Sequence, residues 1–327
     1  MKRIWKIVLR IALLVVIIIA GALVYLTVLL PGIKYDKNLK VEITPERVAR
    51  GDYLANHVTV CMDCHSTRDW SRFSAPLVQG TLGKGGEIFD QSMGLPGRFV
   101  SPNITPFNLK DYSDGEIYRA ITAGVGKGGR ALFPVMPYHS YGRMDKEDVY
   151  SIIAYIRTIS PIDFTPEKSK ADFPVNILVN TMPSKGNPEV RPSSENVLDY
   201  GKYLTNASGC IECHTPISEK GQLIMEKSFT GGREFPLGDG KGKVTSANIT
   251  PHKTTGIGQW TKETFVARFK AYDPESFNPP IVQDGQFQTI MPWTMYAGMT
   301  ESDLEAIFTY LSSLQPVENK VVTFSEK

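Results

Sequence analysis

The sequence is short of cysteine and histidine, with four cysteines and five histidines in 327 residues. All four cysteines fall in two Cys-x-x-Cys-His motifs, one from Cys61 to His65 and the other from Cys210 to His214. A zinc ribbon places its two cysteine pairs about 15–20 residues apart, far closer than these motifs lie. Neither motif stands in the strand–helix alternation that frames a thioredoxin-like dithiol. The placement of the cysteines therefore argues against both kinds of site.

The chain also lacks an excess of charge. Its 36 basic and 34 acidic side chains give a formal net charge of +2, and the basic residues are scattered. Without a basic patch, nucleic acid is not an expected partner. Alternating runs of β-branched residues are scarce beyond the N-terminal segment, whereas glycine and proline are abundant, with 28 and 22 copies. This composition predicts short helices joined by long loops, an all-α fold.

The stretch from Ile11 to Leu30 contains no charged residue. About twenty residues at about 1.5 Å each reach about 30 Å, the hydrocarbon thickness of a bilayer. A cleaved signal peptide is the alternative, but its apolar region usually has only about 7–15 residues, and no small-x-small cleavage site precedes Pro31. Four basic residues come before the span: Lys2, Arg3, Lys6 and Arg10. The positive-inside rule then predicts a transmembrane anchor over 1–30 in the bacterial inner membrane, with everything after it on the periplasmic side.

The two motifs indicate covalently bound haem. Two cysteines three apart on a helical turn can each form a thioether with a haem vinyl group, and the adjacent imidazole can then bind the iron. The predicted attachment residues are Cys61, Cys64, Cys210 and Cys213, and the predicted proximal iron ligands are His65 and His214. Two motifs predict two haem c groups.

The surroundings of the motifs repeat along the chain. The repeated segments are Gly-x-Tyr-Leu at Gly51 and Gly201, Asn-Ile-Thr-Pro at Asn103 and Asn248, and Met-Pro at Met136 and Met291. An internal repeat of about 150 residues indicates two copies of one domain. We predict one haem domain over 44–161, a proline-rich linker over 162–193 and a second haem domain over 194–317.

Local signals predict where several helices begin. Thr44 followed by proline, and Asp145 and Thr300 ahead of apolar stripes, are typical N-caps. Ser113 and Glu116 form a capping box in the sequence. These positions predict three main helices in the first domain and a last helix in the second that matches the first domain's third.

Met136 and Met291 are the predicted sixth ligands of the two irons. Each precedes a proline in a loop, outside any helical stripe, and methionine opposite histidine raises the haem potential. The alternative is that these side chains only fill gaps in the core, which is the interpretation for Met144 and Met299 just before helix caps. His139 is the rival ligand for the first iron.

A carbonyl group is expected to orient the imidazole of His214. A metal-bound histidine usually donates its second ring N–H to an acceptor, which fixes the orientation of the ring. Pro216, two residues further on, could offer its carbonyl oxygen. The first domain has Thr67 at that position, so this contact is not expected there.

With these residues assembled, the chain resembles the c-type cytochrome subunits of membrane-bound periplasmic alcohol and gluconate dehydrogenases. The resemblance extends over about 45–317 and rests on the Gly-x-Tyr-Leu, Asn-Ile-Thr-Pro and Met-Pro segments. In that family the methionine of Met-Pro is the distal haem ligand, which implies this role for Met136 and, with Trp293 in place of tyrosine, for Met291. Those subunits usually carry three haem motifs, whereas this chain has two and begins with an apolar anchor.

The resulting hypothesis is a membrane-anchored dihaem c-type cytochrome that passes single electrons between periplasmic redox partners of a respiratory chain. A periplasmic dehydrogenase is the expected donor and a terminal oxidase the expected acceptor. The alternative is an enzyme, either a dihaem peroxidase or another haem oxidoreductase, in which one iron has an open or displaceable axial position. The sequence favours the carrier and leaves the question of enzymatic activity open.

Overall fold

The computed structural model describes residues 2–219, 221–238 and 242–325. Within these ranges the chain is rich in helices joined by long loops. The helices are α1 Lys2–Val24, α2 Pro45–Tyr53, α3 Cys61–Cys64, α4 Pro106–Leu109, α5 Asp114–Ala123, α6 Tyr138–Tyr141, α7 Lys146–Thr158, α8 Val175–Leu178, α9 Val197–Ala207, α10 Cys210–His214, α11 Lys262–Lys270, α12 Trp293–Tyr296 and α13 Glu301–Ser312. One π-helical turn continues α1 over Tyr25–Leu29, and another continues α2 over Leu54–Val58.

Two small antiparallel sheets add to the all-α fold that the sequence predicts. Their strands are β1 Ile88–Phe89, β2 Gly97–Val100, β3 Lys170–Ala171, β4 Glu234–Pro236, β5 Lys243–Thr245 and β6 Phe324–Ser325. The order is β1-β2-β3 in one sheet, with Ile88 opposite Val100, and β4-β5-β6 in the other, with Phe235 opposite Val244. Strands of two to four residues are too short to show an alternating pattern, which is why the sequence gives no sign of them.

The predicted helix starts are confirmed. Thr44 and Asp145 each accept a hydrogen bond from a backbone N–H of the first turn of α2 and α7. Ser113 and Glu116 form both bonds of the capping box at α5, and the Thr300 side chain caps α13. These bonds satisfy N–H groups that have no partner within the helix, so residues adjacent in sequence determine them.

The helix α1 is mostly apolar, and from residue 3 to its end its side chains are exposed rather than packed into the core. Together with its π-helical continuation it forms one stretch, Arg3–Leu29, long and apolar enough to cross a membrane. This length and composition fit the membrane anchor that the sequence predicts.

Two crossed helix pairs form the centre of the molecule, α2 with α7 and α9 with α13. An ideal Cβ at Gly51 would lie 1.9 Å from the carbonyl oxygen of Ser151, and one at Gly201 would lie 1.9 Å from that of Ala306. Only glycine allows two helix backbones to approach this closely. Apolar side chains from both pairs belong to one continuous core cluster.

The two helix pairs also bind each other through reciprocal hydrogen bonds. Tyr53 of α2 donates its hydroxyl to Asp303 of α13 at 2.7 Å, and Tyr203 of α9 donates to Asp148 of α7, also at 2.7 Å. Burial raises the pKa of both tyrosines, so each hydroxyl keeps its proton and remains a donor. Equivalent residues thus exchange equivalent contacts, as they do in a two-fold interface.

Candidate haem-binding sites

A left-handed residue leads into each Cys-x-x-Cys-His motif. Val60 has φ of +45° just before α3, and Gly209 has φ of +63° just before α10. Glycine adopts this conformation freely, whereas β-branched valine does so at a cost. The same bend therefore belongs to both motifs although different residues form it.

The bend makes a direct prediction for Gly209. A Cβ there would meet nothing closer than 3.9 Å, at the Glu212 side chain, so the only cost of Gly209→Ala is its left-handed backbone. We expect the free energy of unfolding of the haem-loaded protein to fall by about 1–2 kcal/mol, measured by chemical denaturation. Gly209→Asn is the matched control, because asparagine tolerates this conformation better. Equal losses for the two variants would contradict the backbone explanation.

One ring nitrogen of each motif histidine is held by a backbone carbonyl. His65 Nδ1 lies 2.8 Å from the carbonyl oxygen of Pro102, and His214 Nδ1 lies 2.7 Å from that of Ala247. A carbonyl only accepts hydrogen bonds, so Nδ1 carries the proton and Nε2 keeps its lone pair. Nε2 is therefore the nitrogen that can bind a metal, and the ring is already oriented for it.

The prediction that the Pro216 carbonyl orients His214 is wrong. The Pro216 oxygen accepts a hydrogen bond from Ile224 N at 2.9 Å instead. The carbonyl that reaches the ring comes from Ala247, far along the chain, and Pro102 provides the same contact in the first half. The orienting contact is therefore shared by both sites rather than confined to one.

The repeated Asn-Ile-Thr-Pro segments hold these two carbonyls in place. Asn103 Oδ1 accepts from both the backbone N–H and the hydroxyl of Thr105, and Asn248 Oδ1 accepts the same two bonds from Thr250. The Nδ2 group of Asn248 also donates to the Val317 carbonyl at 2.8 Å, beyond α13. Each asparagine directly follows the residue whose carbonyl binds the histidine. The repeat of this segment in the sequence is therefore a signal of the histidine anchor, although the sequence alone did not reveal that role.

The four cysteines are free and half-buried. Burial raises the pKa of Cys64 and of Cys210 to about 12, so the thiols are protonated near neutral pH. Within the described ranges, no three His, Cys, Asp or Glu side chains lie together as a metal-ion site. Two thiols beside one imidazole are a donor set that a haem with two vinyl groups would fit.

Met136 and Met291 stand in loops of the same shape. The carbonyl oxygen of each accepts a hydrogen bond of 2.8 Å from the backbone N–H two residues on, at Tyr138 and Trp293. The intervening proline has φ −78° and ψ 56° in the first loop, and φ −79° and ψ 63° in the second. Both methionines are half-buried and pack against the core cluster. The predicted ligands are thus held in matching positions.

The other methionines and the rival histidine lie elsewhere. Met144 and Met299 are fully buried in the core, as their packing interpretation predicts. His139 is exposed, and its Nδ1 lies 3.0 Å from the hydroxyl oxygen of Ser184. The structure therefore brings Met136, rather than His139, against the core of the first half.

Tyr138, two residues after Met136, has a buried hydroxyl that finds no hydrogen-bond partner among the described residues. Burial raises the pKa of Tyr138 well above its usual value, so the hydroxyl remains a donor. A buried donor without an acceptor is costly, at about 1–3 kcal/mol. A bound group with acidic substituents, such as the propionates of haem, would provide the missing acceptor.

The short helix that follows each methionine loop, α6 or α12, lies against the helical turn before the opposite motif. Asn206 Nδ2 donates to the Ser140 carbonyl at 2.9 Å, and His57 Nδ1 lies 3.0 Å from the Met295 carbonyl. The Ser140 hydroxyl also donates to Glu212 inside the second motif, at 3.0 Å. The sequence gives His57 no counterpart, yet Asn206 makes the equivalent contact. The two candidate sites are therefore neighbours across the interface between the helix pairs.

A buried ion cluster lies beside the first motif. Arg68 donates to Asp63 at 2.9 Å and to Glu87 at 2.9 Å, and Trp70 Nε1 donates to the same Glu87 oxygen at 2.6 Å. The Arg68, Asp63 and Glu87 side chains are less than a tenth exposed. The second motif has Glu212 in place of Asp63, next to Ser140. The electrostatic surroundings of the two sites therefore differ.

No family model matches the chain. Over 285 residues it is 27% identical to the cytochrome c subunit of a quinone-dependent alcohol dehydrogenase from Gluconacetobacter polyoxogenes, which covers 83% of this chain and 56% of that protein. It is 28% identical to the gluconate 2-dehydrogenase cytochrome c subunit of Pantoea cypripedii, over 85% of this chain and 62% of that protein. These relatives are c-type cytochromes. The resemblance expected from the sequence is confirmed.

A third relative matches at nearly full length. The chain is 28% identical to a diheme cytochrome c-type protein of Cereibacter sphaeroides, over 93% of this chain and 97% of that protein. By contrast, it spans only 56% and 62% of the two dehydrogenase subunits. Cytochrome c homologues imply covalently bound haem c and electron transfer, and the diheme relative supports a count of two.

Proposed function

We propose that this chain is a membrane-anchored dihaem c-type cytochrome that transfers single electrons between periplasmic redox partners. The observation that carries the proposal is the matched pair of histidines, each beside two free cysteines and each with Nδ1 bound to a carbonyl. The residues that would hold the haems are Cys61, Cys64, His65 and Met136 in one site and Cys210, Cys213, His214 and Met291 in the other. When bound, haem c supplies a one-electron couple between ferrous and ferric iron.

The two sites are proposed to belong to two domains, over 44–161 and 194–317. The recurrence of crossed helix pairs, glycine contacts and methionine loops supports this division. The proline-rich segment 162–193 between them contains β3 and α8. This linker therefore has regular secondary structure, which would keep the distance and orientation between the two sites constant.

The protein's part in electron transfer is to hold the ligands still. The carbonyls of Pro102 and Ala247 orient the imidazoles, and the two Met-Pro loops, which share one backbone shape, would present Met136 and Met291 as the second ligands. Ligands that keep their positions between the two oxidation states allow electrons to move with little rearrangement. The half-buried setting of Met136 favours this carrier role over a peroxidase, which needs an open axial position.

The partners and location follow from the relatives and from α1. Two relatives are subunits of dehydrogenases, which supports a periplasmic dehydrogenase as the proposed donor. A terminal oxidase is the proposed acceptor. The apolar stretch Arg3–Leu29, with basic residues before it, supports anchoring in the inner membrane with the haem domains in the periplasm.

Optical spectroscopy tests the ligand assignment. Ferric haem c with methionine ligation gives a weak charge-transfer band in the far red, and we expect Met136→Ala and Met291→Ala each to remove about half of it, one iron of two. Met225→Ala is the control, because Met225 is exposed and has no repeat partner. The alkaline pyridine spectrum of the same samples counts haems per chain. An unchanged band in Met136→Ala would mean that the first iron has another ligand or none, and the enzymatic alternative would then lead.

A further inference from the structure

A short apolar segment, Phe173–Met182, lies beside the end of α1. The helix α8 and the 3₁₀ turn Val179–Thr181 that follows it both pack against the π-helical turn Tyr25–Leu29. That turn is where the proposed anchor leaves the bilayer. The segment is therefore positioned at the level of the outer membrane–water interface.

The side chains of this segment suit such an interface. Phe173 is 80% exposed and Leu178 is 43% exposed, while Val175 and Ile177 are half-buried. Large apolar side chains exposed together mark an interaction surface, and aromatic residues are enriched where proteins meet the headgroup region. Tyr25, 53% exposed at the end of α1, is a second aromatic at the same level.

The segment between α1 and α2 packs against the rest of the protein through hydrogen bonds and a cation–π contact. Arg119 of α5 donates to the Ile33 carbonyl at 3.1 Å, and its guanidinium lies 4.5 Å from the centre of the Tyr35 ring. Val41 N donates to Asp114 at 2.8 Å. These bonds, together with the packing of α8 on the turn Tyr25–Leu29, would keep the segment Phe173–Met182 near the bilayer when α1 spans it.

Charge around the segment points to the same partner. Three exposed lysines flank it: Lys168, Lys170 and Lys185. Of the nearby acidic side chains, Glu167 pairs with Arg98, whereas Asp172 accepts from the neutral amide of Gln91 at 2.9 Å and keeps its charge. The three lysines therefore outnumber the one of these acidic side chains that has no cationic partner among the described residues. Lysines close to a membrane surface attract anionic headgroups at about 1 kcal/mol each.

We propose that Phe173–Met182 is a second membrane contact, in which its apolar side chains enter the boundary between headgroups and acyl chains beside α1 and the flanking lysines meet lipid phosphates. This inference rests on the proposed anchoring by α1. One helix alone would let the haem domains turn about its axis. With α1 and Phe173–Met182 both in contact with the membrane, one face of the domains stays turned towards it. The distance of each haem site from the membrane is then fixed as well.

Photo-crosslinking in vesicles tests the contact. The full-length, haem-loaded protein is reconstituted in phosphatidylethanolamine and phosphatidylglycerol, with benzoylphenylalanine replacing Phe173, and lipid adducts are measured by mass spectrometry. The same substitution of Val16 in α1 reports on the anchor, and that of Trp260, a partly exposed aromatic of the second half, is the matched control. We expect lipid adducts at positions 173 and 16 and at most background at 260.

The outcomes separate the two proposals. Adducts at position 16 but not at 173 would overturn the second contact and leave the anchor standing. Adducts at neither position would overturn the anchor and the contact together. Equal adducts at 173 and 260 would show non-specific labelling and would also overturn the contact.

Discussion

Gly51→Ala and Gly201→Ala should each lower the free energy of unfolding of the haem-loaded protein by about 3 kcal/mol or more, the upper range for overpacked cores. The new methyl group would stand 1.9 Å from a backbone oxygen of the crossing helix, at Ser151 or Ala306. Backbone cannot rotate away as a flexible side chain can, so the helices would have to separate. The higher helix propensity of alanine returns only about 1 kcal/mol of this loss.

Chemical denaturation of the haem-loaded variants measures this effect. Lys202→Ala is the matched control, because Lys202 directly follows Gly201 in α9 but is exposed. We expect that substitution to change stability by less than about 0.5 kcal/mol. If the Gly51→Ala and Gly201→Ala variants were as stable as Lys202→Ala, the helices at the two crossings would have room for a methyl group, and the 1.9 Å contact would not be the constraint. A loss in only one of the two would contradict the equivalence of the helix pairs.

Arg68→Met should destabilise the protein by about 3–5 kcal/mol, as expected when one member of a buried ion cluster is removed. Methionine keeps much of the side-chain length, so packing against Trp70 is largely retained while the charge is lost. Asp63 and Glu87 would remain buried without the guanidinium that both contact at 2.9 Å. Two buried carboxylates without a cation are the source of the loss.

A control variant and a double variant test whether the buried charges cause the loss of stability. Arg98→Met removes an arginine whose side chain is 42% exposed and whose contact with Glu167 is 3.3 Å, so we expect a loss of only about 0–1 kcal/mol. Adding Glu87→Gln to Arg68→Met removes one of the uncompensated charges and should recover part of the stability. Denaturation curves in which the double variant is no more stable than Arg68→Met would rule out charge burial as the cause.

Features set by neighbouring residues could be predicted from the sequence. The capping box of Ser113 and Glu116 involves residues three apart, and the haem motifs place two thiols and an imidazole on one turn. The apolar N-terminal helix likewise depends only on a local apolar run. The small sheets escaped prediction because β1 and β2 pair within a stretch of low periodicity and β3 joins them from much further along the chain.

The chemical groups could be predicted from local sequence: two Cys-x-x-Cys-His motifs, two Met-Pro loops and an apolar N-terminal helix. Which distant groups meet depends on the folded chain. Folding binds His214 to the Ala247 carbonyl rather than to Pro216, pairs His57 with the Met295 carbonyl, and brings Phe173–Met182 beside the end of α1. The loops joining these residues have no periodicity, so their path depends on the packing of the whole chain.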